Sequence, residues 1–295
     1  MVLRTPRSLT VREITQNDID QLLAWEHTLA GSAAISAAQR LSEAMSDVRR
    51  ADADECWRQI WTKPLYSNTK VAIGENYEKK LAPFMEGAWR FIGVDRDKFF
   101  VEHDGGGNKK ENYIARGSII EQIREVSGIA SKRLLAIQGG AAFLRAKVTA
   151  NGATAPLACY AVDDLDAMLK QLAVLSPALR KILGRGWGHI TVMHMLTDFG
   201  LSVKPDLHLV RTARYLGLVN GLRDVAVPSE REAMAIVAAT VRLVQAVYGE
   251  VAGPAKLRYT DKFLMEASRE ELISRQPRNS TSSRLDGDPR TDMAL

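Results

Sequence analysis

The chain has 295 residues, enough to bury a sizeable core in one large domain or two small ones, and its 46% hydrophobic and 25% charged residues are ordinary for a globular protein. A net charge of +5 with a pI near 9.2 suits a polyanionic partner without establishing one. No run approaches a membrane-spanning helix and the first residues lack the apolar core of a signal peptide. With Cys56 and Cys159 the sole cysteines, reduced thiols in a cytoplasmic protein are expected.

Residues 1–9 are basic and read as loosely held. Asn17 is placed to cap a helix carrying Ile19, Leu22, Leu23 and Leu29, closed by Gly31. Residues 33–48 are alanine-rich and helical by propensity, and 53–61 form a further helix stopped before Pro64. The stretch 65–103, with Trp89, Phe91, Phe99 and Phe100, is ambiguous; 70–73 and 99–102 read as short strands. Residues 104–110 read as a flexible loop with a basic end. Ser118 and Glu121 have capping-box spacing and open a helix through Val126. Helical patterns follow over 134–137 and 141–148, broken at Gly139-Gly140, and Asn151-Gly152 marks a turn. Asp163 or Asp164 then starts a helix with Leu165, Met168, Leu169 and Leu172 on its apolar side. Ser229 and Glu232 form another capping box, whose helix buries Met234, Val237, Val241 and Val244. A last helix over 256–268 follows Pro254, and the polar composition of 275–295 reads as a disordered tail. The expected organisation is mainly α: an N-terminal helical region with short strands over 1–115, a helical domain over 116–274, and the tail.

One stretch, 176–218, carries the chemistry. Ser176 and Pro177 suit a helix start, and a short helix then runs to Leu183. Three glycines in Gly184-Arg185-Gly186-Trp187-Gly188 allow a tight reversal with exposed amides. A second helix begins at His189, with Ile190, Met193 and Leu196 spaced for a buried face, and stops at Gly200. Amides at a glycine turn and at the next helix N-terminus suit a phosphate, because unpaired donors and dipole point the same way. Val203-Lys204-Pro205-Asp206-Leu207-His208 leads into another helical pattern through Leu209, Val210, Ala213 and Leu216.

This order resembles the helix-hairpin-helix (HhH-GPD) DNA glycosylases, with the helix-hairpin-helix over 176–200. Gly186-Trp187-Gly188 matches their hairpin, and Asp206-Leu207-His208-Leu209 with Arg211 matches their catalytic segment. The chain departs from the family at Arg185 (often proline), at Trp187 (a small aliphatic residue), and at Pro205 before the aspartate. The resemblance implies a bilobed helical fold with the hairpin and Asp206 at the cleft between lobes. It further implies a monofunctional N-glycosylase that flips out a base, cleaves its bond to deoxyribose and leaves an abasic site. A carboxylate suits the oxocarbenium character of that reaction and can orient the attacking water. Bifunctional members place a lysine two residues after the hairpin's last glycine; here Ile190 stands there and cannot form a Schiff base, although Lys204 and Lys181 lie near in sequence.

Gly184, Arg185, Gly186, Gly188, His189, Lys204, His208 and Arg211 are the expected DNA contacts, with double-stranded DNA as partner of a monomer. Two cysteines are too few for the family's iron–sulfur cluster, His189 and His194 lack acidic or cysteine companions at metal-ligand spacing, and no cofactor is expected. Trp25, Trp57, Trp61, Trp89 and Tyr66 supply aromatic surface for a base pocket, though each type is more often core. Repair of a damaged base and removal of a hypermodified base from foreign DNA, such as glucosylated cytosine of a phage, are both compatible with the resemblance. So is a non-catalytic hairpin module in which Asp206 only caps its helix.

Overall fold

The computed structural model describes residues 8–67, 69–105, 109–270 and 272–273, so the basic start over 1–7 and the polar tail lie outside the described residues. Within them the chain is mainly α. Thr10–Val11 (β1) precedes α1 (Gln16–Thr28), α2 (Ala33–Glu43), α3 (Ala53–Thr62), α4 (Val71–Met85) and α5 (Trp89–Ile92). A hairpin of Phe100–Gly105 (β2) and Lys109–Ile114 (β3) leads to α6 (Ile119–Ser127), α7 (Ser131–Asn151), α8 (Leu165–Leu183) and α9 (His189–Thr197). The chain then runs through α10 (Leu207–Tyr215), Val219–Asn220 (β4), α11 (Glu230–Tyr248) and α12 (Pro254–Arg269). β1 pairs antiparallel with β4, tying the chain start to the segment after α10.

Several expectations needed correction. Asp18, not Asn17, organises the first helix start: its carboxylate accepts from the Thr15 N–H at 2.9 Å and the Thr15 hydroxyl at 2.7 Å. Residues 71–73 open α4 rather than forming a strand. The loop read over 104–110 is shorter, since Asp104 pairs with Lys110 and Gly105 with Lys109; residues 106–108 lie outside the described residues. The Gly139-Gly140 pair does not break α7, which runs unbroken for 21 residues. A Cβ on Gly139 would sit 2.2 Å from the Leu183 carbonyl oxygen, and one on Gly140 2.6 Å from Ile60 Cγ2, so both glycines admit neighbours into contact with the helix backbone. Likewise Ser176-Pro177 starts nothing: α8 passes through Pro177 as one helix from its Asp164 cap, held by a buried stripe of Leu172, Leu175, Leu179 and Leu183.

The core is one cluster of buried apolar side chains spanning the described chain. In it α2 packs on α12, α3 and α5 on α7, α7 on α8, and α10 and α11 on α12. By length and composition alone, Glu230–Val251 could cross a membrane, contrary to the sequence expectation. In the fold Ile236, Val237, Val241 and Val244 of α11 are buried in protein, and Glu232 is buried at its capped start. The packing leaves an open seam where α9, the turn before α10, the 3₁₀ turn Lys63–Tyr66 and α12 meet.

Candidate active site

The hairpin is built by packing as much as by glycine. Gly184 and Gly186 adopt φ of 76° and 96°, angles closed to most side chains. At Gly186 a Cβ would lie 2.7 Å from Ala136 Cβ and 3.1 Å from the Lys132 carbonyl oxygen, so the turn presses directly onto α7. Trp187 is the plug: it is buried, and its Nε1–H donates to the Ala136 carbonyl at 2.7 Å. A small aliphatic residue there would leave that space unfilled. Gly188 differs from Gly186; its φ is −74°, open space surrounds its missing Cβ, and no side chain caps the α9 amides that follow. His189 secures the other flank, its Nε2–H donating to the Pro228 carbonyl at 2.8 Å.

Asp206 heads α10. Its Oδ1 accepts the His208 N–H at 2.9 Å, the geometry of an ordinary N-cap. Its own N–H donates to the Lys204 carbonyl at 2.8 Å, closing a three-residue turn over Pro205, whose ring suits the φ such a turn needs. That turn folds Lys204 back beside Asp206, with Nζ 3.4 Å from Oδ2 and side-chain exposures of 27% and 20%. The His208 ring meets the Ser268 hydroxyl, Nδ1 to Oγ 3.1 Å; burial lowers its pKa, the nearby Asp206 opposing.

Two cavities share this turn. One, of about 760 Å³, is lined by the whole hairpin, by His189 and Ile190, and by Lys132 at the start of α7. The other, of about 780 Å³, opens towards Arg58, Gln59, Lys70, Glu75 and Glu78. Lys63, Tyr66, Thr69, His194, Lys204, Asp206 and His208 belong to the walls of both. Gly184, Arg185, Gly186, Gly188, His189, Lys204, Asp206 and His208 are thus brought to one cavity. Arg211 is not: it lies half-buried on α10 and lines neither cavity. Of the five aromatics considered, Tyr66 reaches the cavities, its hydroxyl donating to Glu78 at 2.6 Å, while the four tryptophans are core. Among the described residues no group of three or more His, Cys, Asp or Glu could hold a metal ion.

Behind the turn runs a buried chain of charges that the sequence reading missed. Lys63 pairs with Asp198, and Arg258 bridges Asp198 (2.8 Å) and Asp261 (2.7 Å). Asp261 in turn accepts the Lys204 backbone N–H at 3.1 Å. Each buried charge has an opposite partner, which limits the cost of desolvating the set. Burial pushes Asp261 up to about 6, with Arg258 opposing and Asp206 adding repulsion. At Asp198 burial acts upward as well, but Lys63 and Arg258 outweigh it and hold the carboxyl below its ordinary value. Burial, and after it the cations Lys204, Lys63 and Arg258, press His194 well below the ordinary imidazole range, leaving it neutral.

The arrangement sets one partly exposed carboxylate between a loop whose amides suit a phosphate and a polar chamber. Compared with protein-family models, characterised proteins and solved structures, the chain matches none.

Proposed function

We propose that the protein is a monofunctional DNA N-glycosylase of the helix-hairpin-helix kind, gripping a duplex by the 184–188 hairpin and cleaving the bond between deoxyribose and a flipped base. One observation carries the reading: Asp206 stands in the wall shared by the hairpin cavity and the chamber beyond it. A backbone phosphate at the hairpin leaves the sugar near Asp206, whose charge stabilises the oxocarbenium-like centre, and the base enters the chamber. The interlobe cleft of such enzymes corresponds in this reading to the seam between α9, the Asp206 turn and α12.

The chamber also bears on the substrate. Its volume is within the range of about 300–1,000 Å³ that encloses drug-sized ligands, and its wall offers Arg58, Gln59, Lys70 and Glu75 with Tyr66 as its aromatic surface. This lining favours a base enlarged by a polar substituent, such as glucosylated cytosine in phage DNA, over a small apolar lesion. Defence against foreign DNA is accordingly favoured over repair. The test is to incubate the protein with genomic DNAs of varied modification and identify released bases by mass spectrometry. Release of a modified base is expected; binding with no release from any DNA would overturn the enzyme reading. It would favour instead the module in which Asp206 only caps, a role its bond to the His208 N–H already fills.

A further inference from the structure

We infer that Lys204 is a second catalytic group, the donor that stabilises the departing base. The inference rests on the glycosylase reading and deepens it. Pyrimidines leave a sugar poorly, because the electron pair of the broken C1′–N bond collects on the ring and its carbonyl oxygen. A carboxylate on the sugar side does nothing for that charge; a positioned N–H or ammonium does. Lys204 is the cation so placed. Its Nζ lies 3.4 Å from Asp206 Oδ2, and its side chain borders both the hairpin cavity and the chamber, the boundary a flipped base must straddle.

Two features fix it there. The turn over Pro205 forces Lys204 and Asp206 side by side, and the Lys204 N–H is held at 3.1 Å by Asp261, itself gripped by Arg258. Lys63, the other lysine on both walls, is spent on Asp198. A lysine ammonium set against a carboxylate is a hydrogen-bond donor and a poor nucleophile.

The step balances. The C1′–N bond breaks and its pair passes to the base, which takes a proton from Lys204. Water adds to C1′ and loses a proton to Asp206. Asp206 returns that proton to the Lys204 amine across their contact, restoring both groups, and the net reaction consumes one water.

A sign difference tests this. A duplex bearing a pyrrolidine abasic analogue carries a fixed cation where the sugar's charge develops; a tetrahydrofuran duplex carries none. Wild type should bind the pyrrolidine duplex more tightly than the tetrahydrofuran one. Lys204→Met, lacking the competing ammonium, should widen that preference severalfold. On phage DNA bearing glucosylated hydroxymethylcytosine, the same variant should release base about 10²-fold more slowly, with Lys204→Arg recovering part of the loss. A lysine with a purely structural role would weaken both measurements together. A preference unchanged or narrowed in Lys204→Met overturns the inference, whichever base is the substrate. An unchanged preference in Lys204→Met together with its loss in Asp206→Asn would leave the glycosylase reading standing without Lys204. Retention of the full preference in Asp206→Asn would sink the glycosylase reading itself.

Discussion

Asp206 caps α10 and, in the proposed reading, is also the reacting carboxylate, and the two roles separate on substitution. Asparagine caps a helix about as well as aspartate, so Asp206→Asn keeps the bond to the His208 N–H and should move stability by no more than a few tenths of a kcal/mol. It removes the charge, and base release should fall below detection while thermal unfolding is unchanged; full release would make Asp206 a cap alone. Asp261 makes a pH prediction. Its carboxyl is raised to about 6 from an ordinary 3.8, so between those values the folded protein binds more protons than the unfolded chain. Its contribution to stability is therefore greatest below about pH 4 and is lost as pH rises through 6. In urea unfolding measured across that window, Asp261→Asn should remove this downward slope; an unaltered slope would place its origin elsewhere. Asp206 could be picked out from sequence because its signals are local: an aspartate opening a helix, with a glycine turn upstream. The chain from Lys63 to Asp261 could not, because nothing in the sequence near any member announces a partner in a distant element.

At the level of elements, most caps and the apolar periodicity were readable, and the continuity of α7 and α8 was not. Ser118, Asp164 and Ser229 cap where the sequence places them, each accepting an amide of its helix's first turn. The two missed continuities share one cause. Glycine pairs and proline lower helix propensity, yet packing across a buried stripe outweighs about 1 kcal/mol per glycine, and in α8 it carries the helix through a proline too. Gly139 tests that account. Alanine is the better helix former, so Gly139→Ala would stabilise an isolated helix. Here its Cβ would meet the Leu183 carbonyl oxygen at 2.2 Å, and a backbone atom yields little. The variant should be destabilised by about 1–3 kcal/mol in urea unfolding, and a neutral result would contradict the α7–α8 contact. Within the hairpin, Gly188 is the cleaner probe of DNA contact. Gly186→Val would disturb the packing on α7, whereas Gly188→Val enters open space at an ordinary φ. It should leave the melting curve nearly unchanged and weaken duplex binding in titrations at moderate salt. Unchanged affinity would remove the hairpin from the interface.

For the whole molecule, the sequence anticipated a mainly helical fold and the neighbourhood of hairpin and aspartate. It did not anticipate the two cavities, which meet where α9, the turn before α10 and the Lys63–Tyr66 turn converge from far apart in the chain, with α12 closing one of them. On the proposed reading, that convergence bears on what happens to the DNA strand. Scission after base loss requires a neutral amine that attacks C1′, followed by loss of a proton from C2′ and departure of the 3′ phosphate. Ile190 lines the hairpin cavity and offers no amine. Lys63 is paired with Asp198, and Lys204 with Asp206. Lys132 borders the same cavity from the start of α7 and, among the described residues, has no carboxylate contact that would tie it to the aspartate's turn; it is the amine to mutate first should trapping occur without Lys204. An oligonucleotide with a preformed abasic site should therefore stay unbroken with the protein until alkali is added, and borohydride should trap little covalent adduct. This test needs no knowledge of the excised base. Efficient trapping would show that an amine in the cleft loses its proton on binding DNA. Loss of trapping in Lys204→Ala would then identify Lys204 as a nucleophile rather than an acid.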